Sequence, residues 1–499
     1  MMNKRYLVAL DQGTTSSRAV VFTLEGHMVS AAAQEFPQHY PHPGWVEHDP
    51  ADILSTQIEA LRAAVRKAEI DPKEIAAIGI TNQRETTFLW ERATGACLYN
   101  AIVWQCRRTA PIIEQLIADG YSDVIREKTG LVPDAYFSGT KLKWLLDYYN
   151  LTEKAEKGDL CFGTVDSYLC WNLLEGRPHV TDATNAGRTM LFNLHTQDWD
   201  DDLLKLLGIP KACLPKVVDT AGPIGMLDPA ILGRAIPVTA MAGDQHASLF
   251  GQACLKTGDI KNTYGTGCFM LMNTGDKPVM SGHGLLTTMA WRINGKPTYA
   301  LEGSVFMGGA TIQWLRDELK IIENAAESEG IAQSIQSTGG VYLVPAFTGL
   351  GAPWWDMYSR GTLIGMTRGT GRAHIVRAAL EAIAYQSADL MDAMIADCGS
   401  RPESLQVDGG ASANGFLMQF QADITGIPVI RPRVLETTAL GAALLAGLGA
   451  GIYSSLEETT KIWQKDLEFT PRMDDATRLL NLKGWHSAVE RSLGWAKDQ

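Results

Sequence analysis

Short apolar runs of strand length alternate with amphipathic helical segments along most of the chain. The first two runs, Tyr6–Leu10 and Ala19–Phe22, are β-prone and predict a hairpin, with the polar segment Asp11–Arg18 as its turn. Asp49 is a good N-cap and Pro50 suits the first helical position, and the apolar spacing after them predicts an amphipathic helix. Strands and helices mixed in this way predict an α/β protein.

Four later apolar runs have a common pattern. Each one ends at, or contains, a short segment of polar residues or glycines. They are Ile75–Thr81 before Asn-Gln-Arg-Glu, Val238–Ala242 before Gly-Asp-Gln-His, Asn262–Met272 with its internal Tyr-Gly-Thr-Gly, and Leu405–Val407 before Asp-Gly-Gly. The turn within Asn262–Met272 is similar to that of the first hairpin and lies near the midpoint of the chain, which suggests two related halves. The residues of the two halves are too dissimilar to establish a repeat by themselves.

One segment, Thr437–Leu456, runs for 20 residues without a charge and has the length of a membrane span. It is rich in alanine and glycine and only moderately apolar, so we interpret it as a tightly packed internal helix. The first five residues run straight into a predicted strand and form no cleavable signal. We therefore expect a protein that is not integral to a membrane.

The composition of the chain limits the classes of function that this protein could have. The 499 residues, 45% of them apolar, suffice for two substantial cores. The formal charge of −12 and the isoelectric point near 5.4 argue against a nucleic-acid partner, because phosphate neutralisation needs a basic surface. The eight cysteines are scattered without a C-x-x-C pair, so we expect reduced, mostly buried thiols and a cytoplasmic protein.

The first predicted turn has the composition of a phosphate-binding loop. Gly13 allows close backbone approach, and successive N–H groups in such a turn can form an anion-binding nest. Four hydroxyl residues follow, Arg18 adds a charge that suits phosphate, and Asp11 could hold a magnesium ion through water. The P-loop pattern does not occur. Because serine and threonine are common in turns, an ordinary surface hairpin stays open from these residues alone.

Taken together, these turns and other stretches resemble the FGGY carbohydrate kinases, which belong to the actin-like ATPase superfold. The matching stretches cover nearly the whole chain, and the set is far more specific than any one motif. They are LDQGTTSSR, GWVEHDP, GITNQRET, AIVWQCRRT, YFSGTKLKWLLD, AGDQ, NTYGTGCFMLMNTG, VPAFTGLGAP, DGGASAN and TALGAA.

The resemblance implies two α/β domains of RNase H-like fold, at residues 1–248 and 249–499, with a nucleotide cleft between them. The N-terminal domain would carry a polyol site and the first phosphate turn, and the C-terminal domain the second phosphate turn and the adenosine site. The implied activity is ATP-dependent phosphorylation of glycerol to sn-glycerol 3-phosphate with Mg²⁺. The resemblance also implies a homo-oligomer, either a dimer or a tetramer.

Glycerol needs several short hydrogen bonds for its three hydroxyls and an apolar wall for its carbons. The substrate residues implied by the resemblance are Arg84, Glu85, Trp104, Tyr136, Asp244, Gln245 and Phe269. Arg84 would donate to hydroxyl oxygens, Glu85 would accept from hydroxyl protons, and Trp104 and Phe269 would form the wall. Without the resemblance, Arg84 and Glu85 would be interpreted as a surface salt bridge. For the two aromatic residues, plain core packing would be as plausible as a substrate wall.

For the nucleotide, the resemblance makes Asp244 the catalytic base and places Mg²⁺, through water, at Asp11 and Asp244. The phosphates would be held by Thr14, Thr15, Ser16, Arg18 and Thr266, and the adenosine side would be lined by Gly309, Gln313, Gly410 and Asn414. A carboxylate with a pKa of about 4 is a weak base, but phosphoryl transfer depends mainly on positioning and electrostatics. Since the two sets of residues lie in different halves, we expect domain closure to complete the site, with Ala439–Ala446 near the hinge.

Two alternatives stay open. Another FGGY kinase acting on a pentulose or a tetritol would share the fold and the nucleotide site, although Arg84, Glu85, Trp104 and Phe269 favour a small triol. A non-enzymatic, nucleotide-dependent binding protein of the same superfold, such as a chaperone or a filament subunit, would leave the polar substrate cluster unexplained.

Overall fold

The computed structural model describes residues 4–497, which contain 23 β-strands and 17 α-helices. The strands are β1 (Tyr6–Gln12), β2 (Ser16–Thr23), β3 (Met28–Glu35), β4 (Glu47–His48), β5 (Ile75–Asn82), β6 (Phe88–Glu91), β7 (Ala101–Ile102), β8 (Leu160–Gly163), β9 (Val180–Asp182), β10 (Phe192–Asn193), β11 (Asp198–Trp199), β12 (Lys216–Val218), β13 (Ala221–Met226), β14 (Pro237–Gly243), β15 (Ile260–Tyr264), β16 (Cys268–Gly275), β17 (Leu286–Ile293), β18 (Lys296–Val305), β19 (Tyr342–Val344), β20 (Thr362–Ile364), β21 (Leu405–Asp408), β22 (Val429–Pro432) and β23 (Lys465–Phe469). The helices are α1 (Pro50–Lys67), α2 (Ala110–Ala118), α3 (Ser122–Thr129), α4 (Ser138–Tyr148), α5 (Thr152–Glu156), α6 (Val165–Leu173), α7 (Ala183–Ala186), α8 (Asp201–Leu207), α9 (Pro229–Leu232), α10 (Asp244–Gly251), α11 (Gly309–Asp317), α12 (Glu327–Gln333), α13 (Arg372–Cys398), α14 (Gly415–Thr425), α15 (Thr437–Gly449), α16 (Leu456–Thr460) and α17 (Asp475–Ser492).

One large sheet runs through the molecule, and its two ends have the same topology. Its order is β23-β22-β21-β15-β16-β18-β17-β13-β14-β5-β1-β2-β3. In the first half β1, β2 and β3 form an antiparallel meander, β1 lies parallel to β5, and β5 lies parallel to β14. In the second half β15, β16 and β18 form the corresponding antiparallel set, although β17 comes between β16 and β18 in the chain and pairs on the far side of β18. β15 lies parallel to β21, and β21 lies parallel to β22. The two related halves suggested by the similar turns are therefore present as two RNase H-like units.

The two halves meet in the middle of the sheet. β13 and β17 join the halves edge to edge, with Ala221 opposite Ile293. The division expected between residues 248 and 249 falls within α10 and stays a prediction.

Both expected hairpins are present, but the first has longer strands and a shorter turn than the sequence predicts. β1 and β2 stay paired as far as Gln12 opposite Ser17, so the turn, which we call the first turn, is only Gly13–Thr15. Asp11 and Arg18 face each other in the ladder instead of lying in the turn. Polar side chains do not end a strand where main-chain pairing can continue, because the ladder uses backbone groups alone.

The small-residue segment forms α15, which packs against β5 and α10 with its backbone almost in contact. A Cβ on Gly441 would come within 1.8 Å of the Ala247 carbonyl oxygen, and one on Gly79 within 2.1 Å of the Ala442 carbonyl oxygen. Only glycine permits this approach. The expected internal helix is confirmed, and none of the helices within residues 4–497 combines the length and apolarity that crossing a bilayer requires. All eight cysteines are free, and six of them are buried, as expected.

A buried carboxylate fastens the C-terminal helix α17 to α13. Asp389 accepts hydrogen bonds from the indole N–H groups of Trp485 at 2.8 Å and Trp354 at 3.1 Å, and from His486 Nε2 at 2.8 Å. The hydrogen bond to Asp389 raises the pKa of His486 above its usual value, with burial opposing the rise. The attachment of α17 is therefore linked to the charge of one histidine.

We expect the stabilising contribution of His486 to decrease at alkaline pH. Its folded-state pKa is raised, so the contribution is complete below the ordinary value of 6.5 and is lost as the pH rises through the raised pKa. The thermal midpoints of the wild type and of His486→Leu should therefore differ more at pH 6 than at pH 9. A difference that stays constant across this range would show that the His486–Asp389 contact contributes through packing and not through charge.

Candidate active site

Three neighbouring parallel strands bring the first group of candidate residues together. β1, β5 and β14 end at Gln12, Asn82 and Gly243 on the same edge of the sheet. The first turn, Arg84 and Asp244 follow these ends closely and therefore meet at that edge. In open α/β sheets, ligands bind outside the carboxyl ends of the strands.

The first turn is tight and is tied to an aromatic side chain of the candidate polyol site. The Gly13 N–H donates to the Ser16 carbonyl oxygen at 2.9 Å, which closes the turn. Thr14 Oγ1 accepts a hydrogen bond from Trp104 Nε1 at 3.0 Å. Thr15 is exposed and Ser16 is half-buried. The turn and the predicted apolar wall are thus adjacent parts of one site.

Arg18 lies on β2 and already has a protein partner. Its guanidinium forms an ion pair with Glu436, just before α15, at 2.8 Å. This contact joins the first and second halves beside the first turn. A phosphate role for Arg18 stays a prediction, and it requires the guanidinium to bind phosphate alongside Glu436 or in its place.

Of the two carboxylates predicted to hold magnesium, Asp11 has a perturbed pKa. Burial raises the pKa of Asp11 to about 7; Asp244 and Glu436 add to the rise, and Arg18 opposes it. Among residues 4–497, no group of three His, Cys, Asp or Glu side chains converges so as to enclose a metal ion. Two hard oxygen donors without a full protein cage fit a Mg²⁺ ion that keeps water and phosphate oxygens as its other ligands.

Arg84 and Glu85 are buried, contrary to their interpretation as a surface salt bridge. Their side chains are 2% and 1% exposed. The next strand, β6, starts only at Phe88, because the chain turns sharply at Glu85, which has a φ of 56°. A left-handed conformation in a residue with a side chain is strained by about 1–3 kcal/mol and occurs preferentially at functional sites.

Each member of this pair has a strong ionic partner that comes from elsewhere in the chain. The Arg84 guanidinium donates to both carboxylate oxygens of Glu302, at 2.6 and 2.8 Å. Arg188 Nε donates to Glu85 Oε1 at 2.6 Å. Burial disfavours ionised Glu302, but Arg188 and Arg84 outweigh it and hold the pKa of Glu302 well below its usual range. Burial raises the pKa of Glu85, with Arg188 and Arg84 opposing.

Asp244 is the first residue of α10 and is partly accessible. Its Oδ1 accepts from the Gln245 N–H at 2.7 Å and lies 3.3 Å from Arg84 Nε. Gln245 Oε1 in turn accepts from the buried ammonium group of Lys261 at 2.6 Å. Burial lowers the pKa of Lys261 to about 8, with Asp408 and Asp244 opposing. The side chains of Asp244 and Gln245, which are predicted to contact the substrate, are therefore each oriented by a cation.

Trp104 and Tyr136 pack edge to face with ring centroids 5.5 Å apart, so Tyr136 lies beside one of the two residues predicted to form the wall. The loop that carries Tyr136 is held by the buried Lys141 ammonium group, which donates to the carbonyl oxygens of Ala135 at 2.8 Å and of Tyr136 at 2.5 Å. Phe269 is half-buried on β16, opposite Thr263 in the ladder. Its place in the same wall stays a prediction.

The second turn, Gly265–Gly267, connects β15 and β16 and supports α11. The Gly309 N–H donates to the Gly265 carbonyl oxygen at 2.8 Å, and a Cβ on Gly309 would come within 2.7 Å of that oxygen. The first glycine of α11 thus serves close packing against the turn. Thr266 and Gln313 are exposed, which leaves their side chains available to a ligand.

The Asp-Gly-Gly turn after β21 is fixed by hydrogen bonds and close packing. Asp408 Oδ2 accepts from the Thr437 hydroxyl at 2.6 Å, from the Gln252 amide at 2.8 Å and from Ser248. Gly410 is exposed beside this turn.

Asn414 is the N-cap of α14, because its side chain accepts from the Leu417 N–H at 2.9 Å. Its amide also donates to Ser328 Oγ at 3.2 Å. These contacts explain Asn414 as a structural residue; its place on the adenosine side stays a prediction.

Sequence reasoning missed four charged residues that orient the candidate site. They are Lys141, Arg188, Lys261 and Glu302. The available signal was a single charge within an apolar segment, as for Glu302 in the run Tyr299–Val305 and Lys261 at the start of β15. Such a residue is rarely buried without a partner. The signal indicates burial and pairing, but it does not identify the partner.

Comparison with known proteins connects this geometry to one family. The N-terminal domain profile of the FGGY family of carbohydrate kinases matches residues 6–251, and its C-terminal domain profile matches residues 260–450. The chain is 59% identical over 494 residues to glycerol kinase 2 of Thermotoga maritima, covering 99% of this chain and 100% of that protein. It is 58% identical over 495 residues to glycerol kinase of Thermoanaerobacter pseudethanolicus, with the same coverage.

A solved structure agrees with these relatives. The crystal structure of Plasmodium falciparum glycerol kinase with ADP superimposes with a TM-score of 0.92 at 36% identity, covering 98% of both chains.

Proposed function

Because the chain belongs to the FGGY family of carbohydrate kinases, we propose that it transfers the γ-phosphoryl group of ATP to glycerol and forms sn-glycerol 3-phosphate. The observation that carries this proposal is identity of 58% and 59%, over 99% of the chain, to two proteins named glycerol kinase. The buried polar cluster around Arg84 supports a small, highly hydroxylated substrate, since it presents donors and acceptors beside an aromatic wall.

In this proposal, Asp244 accepts the proton of the attacking glycerol hydroxyl. The hydroxyl oxygen forms a bond to the γ-phosphorus while the bond from that phosphorus to the bridging oxygen of ADP breaks. Arg84, Glu85 and the Tyr136 hydroxyl hold the remaining hydroxyls of glycerol, and Trp104 and Phe269 cover its carbons. Asp244 is suited to this role because Arg84 Nε, at 3.3 Å, holds it beside the substrate cluster.

We assign the first turn to the phosphates of ATP, since Thr14, Thr15 and Ser16 place hydroxyl groups around a tight glycine turn. We also assign Arg18 and Thr266 to the phosphates of ATP. Mg²⁺, when bound, would neutralise the phosphates, and Asp11 and Asp244 are the carboxylates that would orient it.

The adenosine side is assigned to exposed and half-buried residues of the second half. They are Gly309, Gln313, Gly410 and Asn414, at the N-terminal parts of α11 and α14 and in the turn after β21. This arrangement divides the ligands between the halves, with glycerol against the first half and adenosine against the second. Closure of the halves would then exclude water, which competes with glycerol as acceptor of the γ-phosphoryl group.

We further propose a homo-oligomeric, cytoplasmic enzyme without a nucleic-acid partner. The eight free cysteines fit a reducing compartment, and the net charge of −12 disfavours nucleic acid. Light scattering of the purified protein would test the oligomeric state directly.

A coupled assay of ADP release with a panel of polyols tests the proposed substrate. We expect ATP-dependent turnover with glycerol to exceed that with erythritol, xylitol and xylulose by at least about tenfold in kcat/KM, because the buried cluster suits a short triol. Faster turnover with a pentulose would favour the alternative FGGY kinase. ADP binding without phosphorylation of any polyol would favour the non-enzymatic alternative.

A further inference from the structure

Four buried charged side chains form a closed ring, and two of them are the candidate substrate pair Arg84 and Glu85. Arg84 pairs with Glu302 at 2.6 Å, Arg188 pairs with Glu85 at 2.6 Å, and Arg188 Nη2 lies 3.4 Å from Glu302. Arg84 Nε lies 3.9 Å from Glu85 and completes the ring. The two positive and two negative charges alternate and cancel.

All four side chains of the ring are buried. Side-chain exposures are 2% for Arg84, 1% for Glu85 and 0% for Arg188 and Glu302. Breaking a buried ion pair by removing one partner leaves an uncompensated charge and is strongly unfavourable. The ring therefore restricts each side chain to one orientation, which a solvated surface pair would not do.

Arg188 has further contacts that determine its orientation. Its guanidinium carbon lies 5.3 Å from the ring centroid of Tyr136 and 5.2 Å from that of Phe137. Its Nη1 and Nη2 atoms are both buried without a hydrogen-bond partner, although Nη2 lies within ion-pair distance of Glu302. The guanidinium is thus held between the aromatic loop and the two carboxylates, and a displacement of Arg188 would move Glu85 and the Tyr136 loop together.

Glu302 brings the second half of the chain into the polyol site. It lies on β18, within the range matched by the C-terminal family profile, whereas Arg84, Glu85 and Arg188 lie within the range of the N-terminal profile. The orientation of Arg84 consequently depends on a carboxylate from the other half.

We propose that Glu302 and Arg188 are positioning residues for the polyol site: Glu302 orients Arg84, and Arg188 orients Glu85. Neither acts on the substrate itself. The proposal rests on the proposed function, because Arg84 and Glu85 are the residues there assigned to glycerol. It also means that polyol affinity is set in part by the second half of the chain.

The test compares Glu302→Gln and Arg188→Met with the wild type by KM for glycerol, KM for ATP and kcat. Each variant should raise KM for glycerol by at least about tenfold, which is the loss expected for a misplaced charged hydrogen bond. KM for ATP should change less than about twofold. The matched control is Glu381→Gln, which removes the charge of another buried carboxylate, paired with Arg377 at 2.7 Å on α13. This control should leave KM for glycerol at the wild-type value.

A second comparison separates positioning from general support of the fold. If Glu302 acts through Arg84, then adding Glu302→Gln to Arg84→Met should cause no further rise in KM for glycerol. Additive rises would overturn the proposal, as would wild-type KM values for glycerol in the folded single variants. Thermal midpoints identify variants that fail to fold, and Glu302→Asp, which keeps the charge, should then recover part of the affinity. Absence of glycerol turnover in the wild type would instead overturn the proposed function.

Discussion

Replacing Asp244 by Asn is expected to remove most turnover while leaving glycerol and ATP binding close to wild type. The substitution keeps the shape of the side chain and its contact with the Gln245 N–H, but it removes the proposed base and one negative charge. General-base groups typically contribute about 10²- to 10⁴-fold to the rate. The expected result is a fall of that size in kcat, measured by coupled ADP release at saturating glycerol.

The matched control for this substitution is Asp201→Asn, because Asp201 is 79% exposed and pairs with Lys211 on the surface. It should retain wild-type kcat. Isothermal titration with ATP and glycerol would confirm that the Asp244 variant still binds both ligands. A purified Asp244→Asn protein with nearly wild-type kcat would rule out Asp244 as the base.

Arg84→Ala should raise KM for glycerol far more than KM for ATP. The guanidinium is assigned to glycerol hydroxyls and not to the phosphates or the adenosine. Loss of a charged hydrogen bond costs roughly 1.5–3 kcal/mol, which corresponds to roughly 10- to 150-fold in KM. Steady-state kinetics with each substrate varied in turn would measure both constants.

The thermal midpoint of Arg84→Ala has to be measured together with its kinetic constants, because this substitution leaves Glu302 buried with Arg188 as its remaining ion-pair partner. We expect a lower thermal midpoint together with the higher KM. The matched control is Arg62→Ala, because Arg62 is exposed and donates to the Ile231 carbonyl oxygen at 3.0 Å. This variant should have the wild-type KM for glycerol and for ATP. Equal losses for glycerol and ATP would mean that Arg84 supports the fold or the nucleotide site instead.

The sequence alone determined the features that depend on a few neighbouring residues. The apolar runs predicted β1 and β2, the glycine and hydroxyl composition predicted the turn between them, and the small residues of α15 predicted an internal helix. Each of these follows from backbone periodicity, from turn chemistry or from the space a side chain needs. Long stretches matching a family then implied the fold and the order of the site residues along the chain.

Only the tertiary structure decided how the charged residues are paired. Arg84 and Glu302 are 218 positions apart, and their pairing exists because β5 and β18 belong to one sheet. The same holds for Arg18 with Glu436 and for the contact of Lys261 with Gln245. A charge in an apolar strand shows that a partner is needed, but the partner is whichever residue the folded chain places within about 4 Å. Local pattern therefore predicts the elements, whereas the electrostatics of the site depend on which elements become neighbours.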